Sequence, residues 1–315
     1  MTKTVRILAI LFFLAMAACS SSGTGSNTVT DQTQEPTNNG GTTQNEKVSF
    51  IAFGDWGTAD AGEKAVAAAV ASYCKTASCE FIVTLGDNFQ KESLQSTADP
   101  LWKTTYTDIY GPIGIPFYAS LGNHDQDSAQ VQIDYSNVNS YWYMPAKFYS
   151  FAMPADSETP IIEYFVLNGG DSKYSSDEES WFENAVAASR AKWKFLIHHK
   201  PMLSNGDDHG DYKFTKGDKL INDTCGKIDL VLSGHDHIFS YLVGKSNYFT
   251  KTDCEVNQLV IGTGGYGPYG IKDDPRAIAS GAFNGFGWFE ASKDQINFKM
   301  IKTDGSVFYE TSWKK

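Results

Sequence analysis

The chain carries six histidines, and most of them stand where an apolar run stops. His235 and His237 flank Asp236 in "SGHDH", directly after "LVL". His198 and His199 close "WKFLIHH" (193–199), and Asn123, His124 and Asp125 follow "PFYASLG" (116–122). Asp55 ends "VSFIAFGD" (48–55), Asp87 ends "FIVTLGD" (81–87), and His209 sits apart in "SNGDDHG" (204–210). Carboxylate, amide and imidazole groups are hard or borderline donors for divalent and trivalent cations. Two such cations held a few ångströms apart need a shared anionic oxygen, and they can activate water and bind phosphoryl oxygens. The chain shows no phosphate-binding glycine loop with its lysine, no Ser–His–Asp order and no cysteine paired with a base.

Positioning these groups requires strands. The runs 48–55, 81–87, 116–125, 161–168, 193–199, 229–237 and 258–265 are short and rich in β-branched and aromatic residues, as buried strands are. Residues 61–73, rich in alanine, predict a helix. So do residues 175–189, with a Ser/Asp start, acids in the first turn, and Trp181, Phe182 and Val186 expected toward the core. "GWFEASK" and "INFKMIK" alternate and predict antiparallel strands with one wet face. The order is that of an α/β domain with two mixed β-sheets. In such folds ligands gather at the carboxyl ends of strands, where the aspartates and histidines stand. If the segment after "LVLS" stays extended, His235 and His237 share one side and Asp236 points away. Glycines 54, 86, 122 and 234 precede key residues and allow close backbone approach.

The blocks "GDWG", "GDNFQ", "GNHD", "HHKP" and "GHDH" occur in an order that resembles the calcineurin-like metallophosphoesterases, and more narrowly the small mammalian-type purple (tartrate-resistant) acid phosphatases. The likeness extends over most of 48–315, including "GGYG" and "GFGWFEASKDQINF". It implies a four-layer α/β/β/α sandwich and a pair of metal ions. By the resemblance, Asp55 and His237 match ligands of the first metal, Asp87 the bridging carboxylate, and Asn123, His199 and His235 ligands of the second. His198 falls where the family usually has glycine and is read as a buried strand-end histidine. Purple enzymes carry a tyrosine three residues after the bridging aspartate. Here that position is Gln90, a weak amide donor, so a colourless protein using Fe, Mn or Zn is expected.

The resemblance implies hydrolysis of phosphate monoesters by attack of metal-bound hydroxide, with His124 and His209 as candidates to protonate the leaving alcohol. Asp207 and Asp208 would favour a charged His209. Asp125 and Asp236 are expected to orient imidazoles. Lys200 stands at a position commonly aromatic or apolar in relatives; contact with the substrate phosphate is one reading, and a solvated lysine is the preferred one. Tyr266 and Tyr269 either shape the pocket or pack. A phosphodiesterase or nucleotide pyrophosphatase, or a metal-binding surface lipoprotein without turnover, are the competing readings.

Residues 1–18 read as a lipoprotein signal peptide: Lys3 and Arg6 precede an apolar run too short to span a bilayer. "Met16-Ala17-Ala18-Cys19" resembles a lipobox, which implies a lipid on Cys19. Ser20 and Ser21, with no aspartate, point to the outer membrane or periplasmic face. Residues 19–46 have almost nothing apolar to bury and form an expected disordered tether, leaving 47–315 as the folded domain. Cys74, Cys79, Cys225 and Cys254 suit two disulfides in an exported protein. Of three pairings, Cys74–Cys79 would close a short helix-to-strand loop and leave Cys225 with Cys254. The formal charge of −11 disfavours nucleic acid and anionic lipid surfaces. A small phosphoester is the expected partner, with membrane contact only through the lipid and a monomeric state.

Overall fold

A computed structural model describes residues 47–170, 174–214, 217–248 and 253–315. The leader, the tether and Cys19 lie outside the described residues.

Among the described residues, fourteen strands form two seven-stranded sheets. The first sheet holds β1 (Val48–Phe53), β2 (Phe81–Thr84), β3 (Phe117–Tyr118), β4 (Trp142–Tyr143), β12 (Gly285–Ala291), β13 (Gln295–Lys302) and β14 (Val307–Lys314) in the order β14-β13-β12-β1-β2-β3-β4. The second holds β5 (Tyr149–Met153), β6 (Ile162–Val166), β7 (Trp193–Ile197), β8 (Leu230–Ser233), β9 (Phe239–Gly244), β10 (Val256–Ile261) and β11 (Ala277–Gly281) in the order β11-β9-β10-β8-β7-β6-β5. Both sheets are mixed. The run β1-β2-β3-β4 is parallel and pairs antiparallel to β12, and β6-β7-β8-β10 is parallel with antiparallel edges.

The inner strands β1, β2 and β8 are buried at every position because both sheet faces are covered there. Along β6 and β7, Tyr164 and Phe195 face the first sheet, whereas Phe165 and Leu196 join a second core under the helix α3 (Ser176–Ala188). Between the sheets, Phe50 stacks on Phe289 at 4.5 Å and meets the edge of Tyr164 at 5.3 Å. Burial of each such ring contributes about 1.5–3 kcal/mol. The helix α1 (Ala61–Tyr73) covers the other face of the first sheet, where Tyr73 meets Phe286 and Trp288, each at 5.8 Å. The wet face expected for β12 is therefore absent, although β13 does alternate. Two further helices, α2 (Ala129–Tyr135) and α4 (Gly217–Thr224), lie in connections.

Helix starts follow local chemistry. Asp60 accepts from the backbone N–H groups of Gly62 and Glu63, and Ser175 accepts from that of Glu178, each satisfying donors that a helix N-terminus leaves free. On α3, Phe182 and Val186 are buried, but Trp181 is only half-buried. Disulfides join Cys74 to Cys79 and Cys225 to Cys254, with Cα atoms 5.5 and 5.6 Å apart.

Candidate metal centre

Parallel strands of both sheets aim their carboxyl ends at one rim. Asp55 follows β1, Asp87 follows β2, and Asn123 and His124 follow β3. His199 follows β7, and His235 and His237 follow β8. The chain reverses sharply at these points. Asp55, Asp87 and His235 adopt left-handed φ values of 59°, 52° and 69°, which cost energy outside glycine and collect at functional sites. The neighbouring glycines let the reversals nest. A Cβ on Gly122 would lie 2.0 Å from Asp87 Oδ1, and one on Gly234 would lie 2.4 Å from Asp55 Oδ2.

One ligand atom from each of Asp55, Asp87 and His199 falls within a 4.8 Å group, and all three residues are buried. His199 Nδ1–H donates to the Leu85 carbonyl at 2.7 Å, which turns Nε2 toward Asp87 Oδ2 at 3.2 Å and Asn123 Oδ1 at 3.2 Å. His237 Nδ1–H donates to the Gly267 carbonyl at 3.2 Å, leaving Nε2 3.4 Å from Asp55 Oδ1. A carbonyl on Nδ1 is how proteins fix the tautomer of an imidazole whose other nitrogen binds a metal. The His235 ring stands 5.1 Å from that of His199. Two carboxylates, an amide and imidazoles around one buried space fit hard or borderline cations.

The charges bear this out. Burial opposes a charged His199, but Asp87 and Asp55 push it up to about 9. Against its own burial, Asp87 is held far below the usual carboxylate range by His199. His237 is raised by Asp55 in spite of burial. His235 is pushed down to about 2 by burial and by the nearby imidazoles of His199 and His209, so it is neutral. The pocket is therefore anionic enough to draw a proton onto an imidazole, and cations would serve the same need.

Gln90 lies in the same space, buried. Its Nε2 donates to Asp87 Oδ2 at 3.3 Å and reaches Asp55 Oδ1 at 3.5 Å. His124 is anchored by its backbone N–H, which donates to Asp87 Oδ1 at 2.9 Å, while the residue itself is exposed. His209 lies flat over His235 with ring centroids 4.2 Å apart, and its Nε2 is 3.2 Å from Asp208 Oδ2. Tyr269 stacks on His237 at 4.1 Å, and Tyr266 meets it edge-on at 4.8 Å. His198 is fully buried beside Tyr174 and Phe214, donates Nδ1–H to the Lys200 carbonyl, and is pushed down to about 3 by burial. That is the strand-end packing role expected of it.

Three expectations fail. The 234–238 segment is not extended: Asp236 N–H donates to the Gly234 carbonyl and Ile238 N–H to the Asp236 carbonyl, two tight turns. His235 and His237 still face the site, but the turns place them there, not strand alternation. Asp125 and Asp236 do not orient imidazoles. Asp125 accepts from the backbone N–H groups of Gly122, Asn88 and Phe89 and from Gln132, and so fixes the turn that carries Asp87. Asp236 accepts from the Ser204 hydroxyl and the backbone N–H groups of His209 and Gly210, and so fixes the His209 loop. Lys200 is buried, not solvated. Sequence reasoning also passed over Asn88, which accepts from Trp56 Nε1 and donates to the Ser120 carbonyl and Gln132. Its place in "GDNFQ", beside the aspartate, was the available signal.

The family model for the calcineurin-like phosphoesterases matches residues 48–239. Tartrate-resistant acid phosphatase type 5 of Mus musculus is 24% identical over 311 residues, covering 86% of this chain and 92% of that protein. Among solved structures, GAP50, the anchor in the inner membrane complex of Plasmodium, aligns with a TM-score of 0.68 at 22% identity, covering 85% of this chain and 89% of that one. Purple acid phosphatase PPD1 from yellow lupin seeds aligns at 0.65 and 15%, covering 85% and 54%.

Proposed function

The chain belongs to the calcineurin-like phosphoesterase family, and from that premise we propose that it is an exported acid phosphatase-like enzyme that hydrolyses small phosphate monoesters. The observation that carries the reading is the gathering of Asp55, Asp87 and His199 atoms within 4.8 Å, with Asn123 and His237 at hydrogen-bond or ion-pair distance of that group. Asp87 would hold both cations, Asp55 and His237 one, and Asn123, His199 and His235 the other. Bound there, the cations would neutralise phosphoryl oxygens and lower the pKa of a water molecule toward neutrality.

The chain's own groups supply the rest. His209, with its Nε2 3.2 Å from Asp208 Oδ2, is the first candidate to donate a proton to the departing alcohol. His124 is the second candidate, tied through its backbone to the bridging carboxylate. Gln90 would offer an amide oxygen or leave a coordination position to water, and it lacks the phenolate that favours Fe(III). Cys19 would carry a lipid anchor on the periplasmic side.

The test is metal content and turnover of monoester, diester and ATP by the wild type and Asp87→Asn. Equal turnover in both proteins would remove the two-metal reading, and absence of turnover under every metal would favour a non-catalytic lipoprotein. Faster diester or ATP cleavage would favour a phosphodiesterase or pyrophosphatase. Cys19→Ser should release the protein from the membrane fraction, and retention there would remove the anchor.

A further inference from the structure

Lys200 follows His199 and is only 8% exposed. Its Nζ donates to the Gly170 carbonyl at 3.0 Å and the Tyr212 hydroxyl at 3.2 Å, and it lies 4.6 Å from the Tyr212 ring centroid. Among the described residues no carboxylate is within ion-pair distance of it. Burying an ammonium is costly, and neutral acceptors with one ring face compensate only part of that cost. An ammonium has three N–H donors, and two are accounted for. Tyr212 accepts from Lys200, so its own O–H is free to donate. The backbone N–H of Tyr212 donates to the Pro201 carbonyl at 3.0 Å, which registers the two side chains.

The pair stands at the rim of the candidate centre. The Tyr212 ring is edge-on to His235 at 5.9 Å, and His235 carries His209 on its other contact at 4.2 Å. A cation kept out of water beside an anion-handling site, with an open donor on each partner, has the chemistry of an anion subsite.

We propose that Lys200 and Tyr212 form a subsite for anionic oxygens of the substrate and select dianionic phosphate groups over monoanionic diesters. This rests on the phosphatase reading above. The test compares metal-loaded wild type, Lys200→Met, Lys200→Arg and Tyr212→Phe. The readouts are calorimetric binding of inorganic phosphate and KM and kcat for a monoester and a diester of one leaving group. Lys200→Met should weaken phosphate roughly 10-fold or more, as loss of a charged hydrogen bond does. It should raise KM for the monoester more than for the diester. Lys200→Arg should recover most of the affinity, and Tyr212→Phe should lose part of it.

Wild-type phosphate affinity in Lys200→Met overturns the proposal. Equal losses in Lys200→Met and Lys200→Arg, or equal effects on monoester and diester, would make Lys200 a brace between the Gly170 and Tyr212 segments and overturn it too. If Lys200→Met does not fold, an unchanged phosphate affinity in Tyr212→Phe is the overturning result. Phosphate binding is read without turnover, so failure of the phosphatase reading and failure of the subsite are distinguishable.

Discussion

The imidazoles of His209 and His235 are stacked, with planes 15° apart and centroids 4.2 Å apart. One belongs to the rim of the candidate centre and the other to an exposed loop that Asp236 pins by its backbone. A proton donor placed so should matter most when the leaving alcohol is poor. His209→Ala should lower kcat for an alkyl phosphate by about 10²–10⁴-fold, and for nitrophenyl phosphate far less. Metal content should not change. Equal losses on both substrates would remove the proton-donor role.

His199, Gln90 and the His124 backbone converge on the carboxylate of Asp87. Asp87→Asn keeps the shape and removes the charge. Metal affinity and kcat should each fall by more than the roughly 10–100-fold that loss of an outer hydrogen-bond partner costs. Elemental analysis and steady-state kinetics check both.

Gln90 occupies the space between Asp55 and Asp87. The iron-loaded wild type should lack a visible charge-transfer band. Gln90→Tyr should acquire one, because it restores a phenolate beside the first-metal donors, and absorption spectra of the two iron-loaded proteins decide it. A band in the wild type would show that another phenol reaches the metal.

Glu63 is buried at the start of α1, where its Oε2 accepts from the backbone N–H groups of Thr58 and Ala59. Burial pushes its carboxyl from the ordinary 4.5 up to about 8. Between those values the folded chain keeps a proton that the unfolded chain has released. Its stabilising contribution is therefore complete below pH 4.5, declines as pH rises, and is gone above about pH 8. Glu63→Gln keeps an acceptor and cannot ionise. Its melting temperature relative to wild type should rise steadily across that window and level off beyond it. A pH-independent difference would show that Glu63 is charged throughout.

The main elements were readable because each is a local pattern. The α1 span follows from its alanine-rich composition, and Asp55, Asp87 and His199 each close an apolar run. What escaped depends on contacts between distant segments. The burial of Lys200 needs Gly170 and Tyr212, and the covering of β12 needs Tyr73 from a helix more than two hundred residues earlier. Asp125 and Asp236 adjoin histidines in sequence, a pattern that suggests imidazole partners. In the fold they collect backbone N–H groups, which no side-chain motif announces. The turns at His235 and His237 rest on a left-handed backbone at a non-glycine residue, an exception that a strand pattern conceals.

Asp55 and Asp87 hang from one sheet, and His199, His235 and His237 hang from the other. Neither half owns the pocket. A slip of one sheet past its neighbour by a fraction of 4.8 Å would scatter the donors while leaving every strand whole. The aromatic filling around Phe50 thus acts as a locating pin, and softening that distant interior should blunt reactivity before it unfolds anything.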